Sequence, residues 1–353
     1  MGWNDFQSLP MAANLGIFAG AAVLVWIAGS RLAGYADIVS ARTGFGEAVI
    51  GMVGLGVATS LPEIVTTLIG STIGNVSLVI GNLFGGVAQQ ITVLAVVDLI
   101  AVKGALTSLV PNPILLLQGV ILLLVLAVAL VGGTLREPLS WMGVGLTPVL
   151  VGLGYLAAFA VTSSQKKYLP RWRPIESDER ATEMKPVLED EAAGQGISQT
   201  TLYVRIGLAA VAILVAGTAL TLTGDALAGQ TGLGSSFVGV AFVAFSTSLP
   251  EVSTTLGAVR RGNHEMAVSN ILGTNILEVA LFLLADIAYR EGPILAELDR
   301  SGTLAAALGL VVTCLLLLGL LERRDRTVMR MGVDSLAILV AYAAGLAGLY
   351  HLR

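Results

Sequence analysis

Charged side chains, cysteine and histidine are all scarce in this chain of 353 residues. Only 12% of the residues are charged, about half of the roughly 25% found in soluble domains. In contrast, 55% are apolar and the mean hydropathy is +0.83. A soluble fold of this length could not bury so much apolar surface, so the composition excludes a soluble globular protein. The single cysteine, Cys314, cannot form an intrachain disulfide.

Neither sign of charge is in large excess, since 20 lysines and arginines face 24 aspartates and glutamates. A net charge of -4 excludes a basic nucleic-acid-binding surface, so we expect no nucleic-acid partner. The sequence also lacks a Ser/His/Asp set, zinc-ligand spacing, a phosphate-binding glycine loop and a CxxC pair. We therefore expect no enzyme activity and no bound cofactor, and no protein partner can be read from the residue pattern.

Long apolar segments are what the chain has instead. Uncharged runs of membrane-spanning length recur along it, and two longer apolar stretches each contain a turn-like middle that divides them in two. The sequence predicts an all-α membrane protein, multi-pass in the cell membrane, with ten transmembrane helices. These helices are predicted near 11–33, 45–71, 76–101, 112–134, 139–162, 202–224, 234–258, 265–288, 301–321 and 333–352.

The basic residues divide unequally between the two sides of this ten-helix arrangement. With the N-terminus outside, sixteen of the 20 lysines and arginines lie on the cytoplasmic side; the exceptions are Arg136, Arg290, Arg300 and Arg353. Positive charge is enriched on the cytoplasmic side of membrane proteins. We therefore predict that both termini lie outside. A solvated cytoplasmic linker at 163–201 is predicted to separate a first half, 1–162, from a second half, 202–353.

An internal repeat relates the two halves at a fixed offset of 188 residues. Residues 51–100 align with 239–288 without a gap, and fourteen of the fifty positions are identical, including polar ones. Because each half holds five predicted helices, an odd number, the second half enters the membrane in reversed orientation. The sequence thus predicts two inverted five-helix repeats. Secondary transporters share this plan and bind their ions between the repeats, near the membrane midplane.

A proline-containing motif, TSLPE, occurs once in each half, at 59–63 and 247–251. Proline within a helix removes a backbone donor and frees the carbonyl one turn earlier, near positions 58 and 246. Threonine and serine hydroxyls add neutral oxygens, and the glutamate adds a charge that is costly to bury in a membrane. Hard cations bind to such mixtures of oxygens. The predicted ion ligands are Thr59, Ser60, Glu63, Thr247, Ser248 and Glu251.

Polar residues also repeat on the next predicted helix of each half. Asn270, Thr274 and Glu278 lie at i, i+4 and i+8, on one helical face, which we expect to face the broken helices. Small-residue packing explains the nearby glycines but not a glutamate within a span. Asp98 and Asp286, near helix ends, are expected to be interfacial carboxylates. The first-half equivalents of the three polar residues are Asn82, Gly86 and Gln90, and the predicted ligands from these helices are Asn82, Gln90, Asn270, Thr274 and Glu278.

These motifs resemble the two alpha-repeats of the sodium/calcium exchanger family, within the cation/calcium exchanger superfamily. The resemblance rests on ATSLPE at 58–63 with GNLFGG at 81–86, and on STSLPE at 246–251 with SNILGTN at 269–275. It implies Ca²⁺ export by alternating access, usually against Na⁺, so Ca²⁺ and Na⁺ are transported ions. It also implies that the acids are ion ligands and that nearby hydroxyls assist: Glu63, Glu251 and Glu278, with Thr59, Ser60, Thr247, Ser248 and Thr274.

The chain departs from the family pattern G-N-x-x-G-S-N-x-x-N at several positions. In the first repeat Gly86 stands at the serine, Val87 at the next asparagine and Gln90 at the final asparagine. In the second repeat Thr274 stands at the serine and Glu278 at a usually shorter acid. The missing hydroxyl at Gly86 removes a Na⁺ ligand that the resemblance implies.

Two alternatives to a Na⁺-driven Ca²⁺ antiporter stay open. A Ca²⁺/H⁺ antiporter could use the same carboxylates to bind protons. A passive cation channel belongs to another class, but channels usually place their filter on a symmetry axis between subunits, whereas this chain contains its own repeated pair. The expected partners are therefore Ca²⁺, Na⁺ or H⁺, and the lipid bilayer.

Overall fold

The computed structural model describes residues 5–43, 59–102, 104–110, 112–164, 198–260, 262–323, 326–328 and 330–352. Helices within these ranges are α1 (Asp5–Ser8), α2 (Met11–Thr43), α3 (Leu61–Thr72), α4 (Val76–Ala101), α5 (Ile114–Thr134), α6 (Leu146–Ser164), α7 (Gln199–Thr231), α8 (Ser235–Val238), α9 (Ala244–Thr247), α10 (Leu249–Arg260), α11 (His264–Ala288), α12 (Arg300–Glu322) and α13 (Val333–Leu352). A π-helical segment, Gly239–Val243, joins α8 to α9, and short 3-10 turns lie at Leu106–Leu109 and Ile294–Glu297. The strands are β1 (Ser140–Trp141), β2 (Val144–Gly145), β3 (Thr327–Val328) and β4 (Met331–Gly332).

Membrane-spanning helices make up most of this architecture. Among the described residues, seven helices are long and apolar enough to cross a membrane, and the bent pair Ser235–Thr247 and Leu249–Arg260 makes eight. The shorter apolar stretch Leu146–Val161 belongs to α6. The predicted span near 45–71 lies partly outside the described residues, which include only its second part, α3. A helical, multi-pass membrane protein is confirmed; ten spans, the reversed second half, the division at 163–201 and the outside termini stay predictions.

The helix boundaries agree best where the sequence changes sharply. The helices α4 and α13 begin and end where they were predicted, whereas α2 and α7 extend past the predicted ends at 33 and 224. The prediction ended these two helices with the apolar region, but a helix satisfies its own backbone hydrogen bonds and can continue beyond that region. The two long helices pack along each other.

The segment predicted as the start of a helix at 139 instead forms a hairpin. Strands β1 and β2 pair antiparallel, with Ser140 opposite Gly145, and the two turn residues Met142 and Gly143 have φ of 52° and 86°. Positive φ at both turn positions suits a two-residue hairpin. Strands β3 and β4 form a second hairpin at the corresponding place before α13. Apolar hairpin residues such as Trp141 and Met142 cannot be told from a membrane helix by hydropathy.

The central helices α4 and α11 carry the largest buried apolar side chains. Phe84 and Phe282 meet there with their ring centroids 4.7 Å apart. Helix α4 also crosses the π-helical segment so closely that a Cβ at Gly239 would lie 2.5 Å from the carbonyl oxygen of Leu78. Glycine permits such backbone contact between membrane helices. The crossing holds the broken helix of the second half against the centre of the first.

Asp98 and Asp286 are buried at the ends of α4 and α11, and each holds a hairpin of the other half. Asp98 accepts hydrogen bonds from the backbone N–H of Leu106 at 2.9 Å and of Gly332, in the β3–β4 hairpin, at 2.8 Å. Asp286 accepts from the N–H of Ile294 at 2.5 Å and of Gly145, in the β1–β2 hairpin, at 2.6 Å. The interfacial position stays a prediction, and the structure adds that both carboxylates bond distant segments of the chain. We call these contacts the reciprocal braces.

Replacing Asp98 or Asp286 with asparagine is expected to destabilise the protein without changing which ions it binds. The amide –NH₂ would face backbone N–H donors, and a buried donor left without an acceptor costs about 1–3 kcal/mol. The melting temperature in detergent should fall by several degrees in D98N and in D286N. An unchanged melting temperature together with lost Ca²⁺ transport would instead make the aspartate part of the ion pathway.

The predicted orientation can be tested directly with an introduced cysteine. Cys314 is exposed, so replacing it with serine gives a background without reactive thiols. On that background, E183C should resist an impermeant thiol reagent in intact cells and react after the cells are opened, because the 163–201 linker is predicted to be cytoplasmic. Labelling of intact cells would reverse the topology.

Candidate ion site

The helix break predicted from the two prolines occurs at the same residue of the motif in both halves. Ser60, before α3, has φ −83° and ψ 8°, and Ser248, before α10, has φ −82° and ψ 6°. The axis bends by 49° between Ser235–Thr247 and α10. Pro250 has no N–H to offer the carbonyl of Ser246, so that oxygen faces the break. The equivalent predicted carbonyl, at position 58, lies outside the described residues.

Glu63 and Glu251 occupy the first turns of α3 and α10, immediately after these breaks. Both side chains are 0% exposed. None of their four carboxylate oxygens has a hydrogen-bond partner in the structure. The hydroxyl of Thr247 nevertheless lies beside Glu63, and that of Thr59 beside Glu251, so each glutamate faces the TSLPE motif of the other half.

Gln90 and Glu278, equivalent positions of the two halves, meet between α4 and α11. The Gln90 Nε2 donates to Oε2 of Glu278 at 3.2 Å and approaches Oγ of Ser248 at 3.5 Å. The Thr274 hydroxyl donates to Oε1 of Gln90 at 2.8 Å. The second carboxylate oxygen of Glu278, Oε1, is buried without a partner. The structure thus brings these four predicted residues together.

Asn82 and Asn270 do not hydrogen-bond to the carboxylates of the site directly but reach the backbone of the glutamates through a threonine. Asn82 donates to the Thr66 hydroxyl at 3.3 Å, and Thr66 donates to the Glu63 carbonyl at 3.1 Å. Asn270 approaches the Thr254 hydroxyl at 3.5 Å, and Thr254 donates to the Glu251 carbonyl at 3.1 Å. Each asparagine therefore connects the central helix to the backbone of a glutamate.

Thr66 and Thr254 were not predicted as part of the site, although the sequence carries a signal for them. Both follow the TSLPE glutamate by three residues, and both are identical between the repeats. At that spacing a threonine hydroxyl can bond the carbonyl one turn earlier on the same helix. The identity was visible, but a backbone-bonding threonine could not be distinguished from a packing residue without the neighbouring asparagines.

Within the described part of the chain, the carboxyl groups of the site have no buried cation to balance them. Glu251 and Glu278 both repel the charge of Glu63. Among the described residues, no lysine or arginine is buried. No three acidic, histidine or cysteine side chains converge tightly enough within the described ranges to form a metal cluster of their own. A cation here would be held by one or two carboxylates at a time, together with hydroxyl, amide and carbonyl oxygens.

Comparison with known proteins reveals relatives along most of the chain. CaxA of Alkalimonas amylolytica, which is named as an antiporter, is 26% identical over 337 residues, covering 94% of this chain and 97% of CaxA. The inner membrane protein YrbG of Escherichia coli (strain K12) is 25% identical over 263 residues, covering 74% of this chain and 75% of YrbG.

Solved structures share the fold. The sodium-calcium exchanger NCX_Mj, soaked with Na⁺ and Sr²⁺, matches with a TM-score of 0.61 and 19% identity, covering 96% of this chain and 99% of NCX_Mj. YfkE matches with a TM-score of 0.63 and 15% identity, covering 98% of this chain and 95% of YfkE. A family model described as "Sodium/calcium exchanger protein" matches residues 13–162 and 201–350, one segment in each half. The chain belongs to the sodium/calcium exchanger protein family, whose members are membrane antiporters.

Proposed function

We propose that this protein exports Ca²⁺ in exchange for Na⁺ by alternating access, with the ions bound between its halves near the membrane midplane. One observation carries the proposal: five carboxylate oxygens of Glu63, Glu251 and Glu278 are buried without hydrogen-bond partners. Burying an unpaired carboxylate is costly, so these groups need a positive partner. With no buried lysine or arginine among the described residues, a transported cation fills that role.

The packing of the outer helices supports movement around this site. Helices α2 and α7 make their main contacts with each other and with the broken-helix elements α3, α8, α9 and α10, rather than with the central helices. Their contacts with the broken helices include apolar ones, since Gly29 of α2 lies against Pro250 and Gly217 of α7 lies against Val65. Packed helices can slide along apolar contacts of this kind, which is a common form of domain motion. Displacement of this pair would expose the site to one side at a time.

Na⁺ is favoured as the counter-ion by the neutral oxygens around the carboxylates. A proton needs one oxygen, whereas an alkali cation needs several, and the hydroxyls would be superfluous in a pure proton carrier. Ca²⁺/H⁺ exchange is the second candidate, supported by the absence of a hydroxyl at Gly86. The hydroxyls that support Na⁺ are those of Thr59, Ser60, Thr247, Ser248 and Thr274.

Ion flux in proteoliposomes tests the proposal with one gradient imposed at a time. Vesicles loaded with Na⁺ and held at equal pH should take up Ca²⁺, and uptake should cease when choline replaces Na⁺. Vesicles with only a pH gradient should take up little. Uptake driven by the pH gradient and indifferent to Na⁺ would select Ca²⁺/H⁺ exchange, and Ca²⁺ flux down its own gradient without any counter-ion would indicate a channel.

A further inference from the structure

Two contacts at the centre of the site are equivalent under the repeat offset but differ in chemistry. Thr274 contacts Gln90, and the residues equivalent to these two are Gly86 and Glu278, which also lie against each other. In the first contact a hydroxyl donates to an amide oxygen at 2.8 Å. In the second contact one partner has no side chain, and a carboxylate occupies the space.

The Glu278 carboxylate fills the volume that a side chain at Gly86 would need. A Cβ on Gly86 would overlap Oε1 of Glu278, and would lie 2.7 Å from its Cδ and 2.9 Å from its Oε2. Glu278 is 1% exposed, and its Oε2 accepts from Gln90, so the carboxylate cannot turn away without leaving its contacts in the site. The oxygen that points at Gly86 is the one without a hydrogen-bond partner.

The backbone at Gly86 gives no other reason for a glycine. Gly86 lies within α4, where its φ is not positive, so an L residue could adopt this conformation. Glycine within a helix costs about 1 kcal/mol relative to alanine. Its presence here is explained by the carboxylate opposite, in contrast to Gly85, where a Cβ would lie 2.7 Å from the Val240 backbone.

We propose that Gly86 and Glu278 form a size-matched pair that sets the ion specificity of this side of the site. Glycine at position 86 lacks the neutral hydroxyl of the serine in the family pattern. The carboxylate of Glu278, longer than the usual acid, places an oxygen in the space that the serine side chain would fill. Replacing a neutral ligand with an anionic one favours a divalent over a monovalent cation, because ligand charge tunes cation affinity. The inference rests on the proposed function for its ionic part, whereas the size match stands on geometry alone.

A double-mutant cycle tests the pair, using the wild type, G86S, E278D and G86S/E278D. Melting in detergent without Ca²⁺ or Na⁺ measures the size match. G86S should lose several degrees through overlap, and the double variant should melt higher than G86S because the shorter acid vacates the space. In proteoliposomes, G86S should lose about tenfold or more of Ca²⁺ uptake, and the double variant should recover most of it with half-maximal uptake at a lower Na⁺ concentration.

The control variant is G273S, at the position equivalent to Gly85 on α11. A Cβ at Gly273 meets no atom within 4 Å, so this serine should leave melting and uptake close to the wild type. A double variant that melts no higher than G86S, or that is no better expressed as folded protein, overturns the size match. If the double variant recovers Ca²⁺ uptake but needs the same Na⁺ concentration as the wild type for half-maximal uptake, the pair does not set ion specificity. A wild type without any Ca²⁺ flux would sink the proposed function, while the melting data would still decide the size match.

Discussion

Replacing Glu63 or Glu251 with glutamine should abolish Ca²⁺ exchange while leaving folded protein in the membrane. Both carboxylates are buried at the breaks and have no hydrogen-bond partner, so each is free to bind an ion. Glutamine keeps the shape and removes the charge. Because a charged residue within a span costs roughly 2.5–3.5 kcal/mol on insertion scales, removing an uncompensated one should also raise the melting temperature in ion-free detergent. Ca²⁺ uptake and melting are measured on the same preparations.

E137Q is the matched control for this pair of variants. Glu137 is also a buried glutamate, but it lies just beyond the end of α5, where it accepts a hydrogen bond from the Thr147 N–H at 2.8 Å. The glutamine oxygen can accept the same bond, so E137Q should transport Ca²⁺ at close to the wild-type rate. Near wild-type flux in E63Q or E251Q would remove that glutamate from the ion site.

Exchange should be electrogenic, with more than two monovalent ions moving per Ca²⁺. Glu63, Glu251 and Glu278 together carry three negative charges when ionised, in surroundings where unbalanced charge is expensive. One Ca²⁺ leaves one of these charges over, whereas three monovalent cations cancel all of them. Ca²⁺ uptake into Na⁺-loaded vesicles should therefore speed up when valinomycin and K⁺ make the interior positive, because net positive charge moves outward when more than two Na⁺ leave for each Ca²⁺ that enters.

The sign of the response separates the stoichiometries. If three Na⁺ leave for each Ca²⁺ that enters, net positive charge moves outward, and an interior-positive potential accelerates uptake. The three-carboxylate count therefore predicts acceleration by an interior-positive potential and slowing by an interior-negative one. A rate indifferent to potential would indicate two charges exchanged for two, which would mean that one carboxylate stays uncharged throughout.

The repeat offset made much of the site predictable from the sequence. Identical polar residues 188 positions apart located both TSLPE motifs and paired Gln90 with Glu278, which the structure brings into contact. Such a prediction works because polar residues within apolar spans are rare and costly, so a repeated one has few explanations. The proline rule likewise located the breaks after Ser60 and Ser248.

Features that depend on contacts between distant segments could not be predicted in this way. The hairpins before α6 and α13 are apolar, and only the backbone angles distinguish them from helix ends. Asp98 and Asp286 were predicted only as interfacial carboxylates, because their partners are backbone N–H groups, which have no sequence signature. The overlap between Gly86 and Glu278 required coordinates, although both departures from the family pattern were visible.

The reciprocal braces also bear on the order in which the chain is made. Asp98 lies 234 residues before Gly332, its donor from the β3–β4 hairpin. This hydrogen bond therefore cannot form until late in synthesis. Asp286, in contrast, is synthesised after its donor Gly145, so this hydrogen bond can form as soon as α11 has been made. Since chains emerge from the N-terminus onward, the first half is inserted with an incompletely bonded carboxylate at the end of α4. The hydrogen bonding of Asp98 can be completed only after β4, which contains Gly332, has been synthesised.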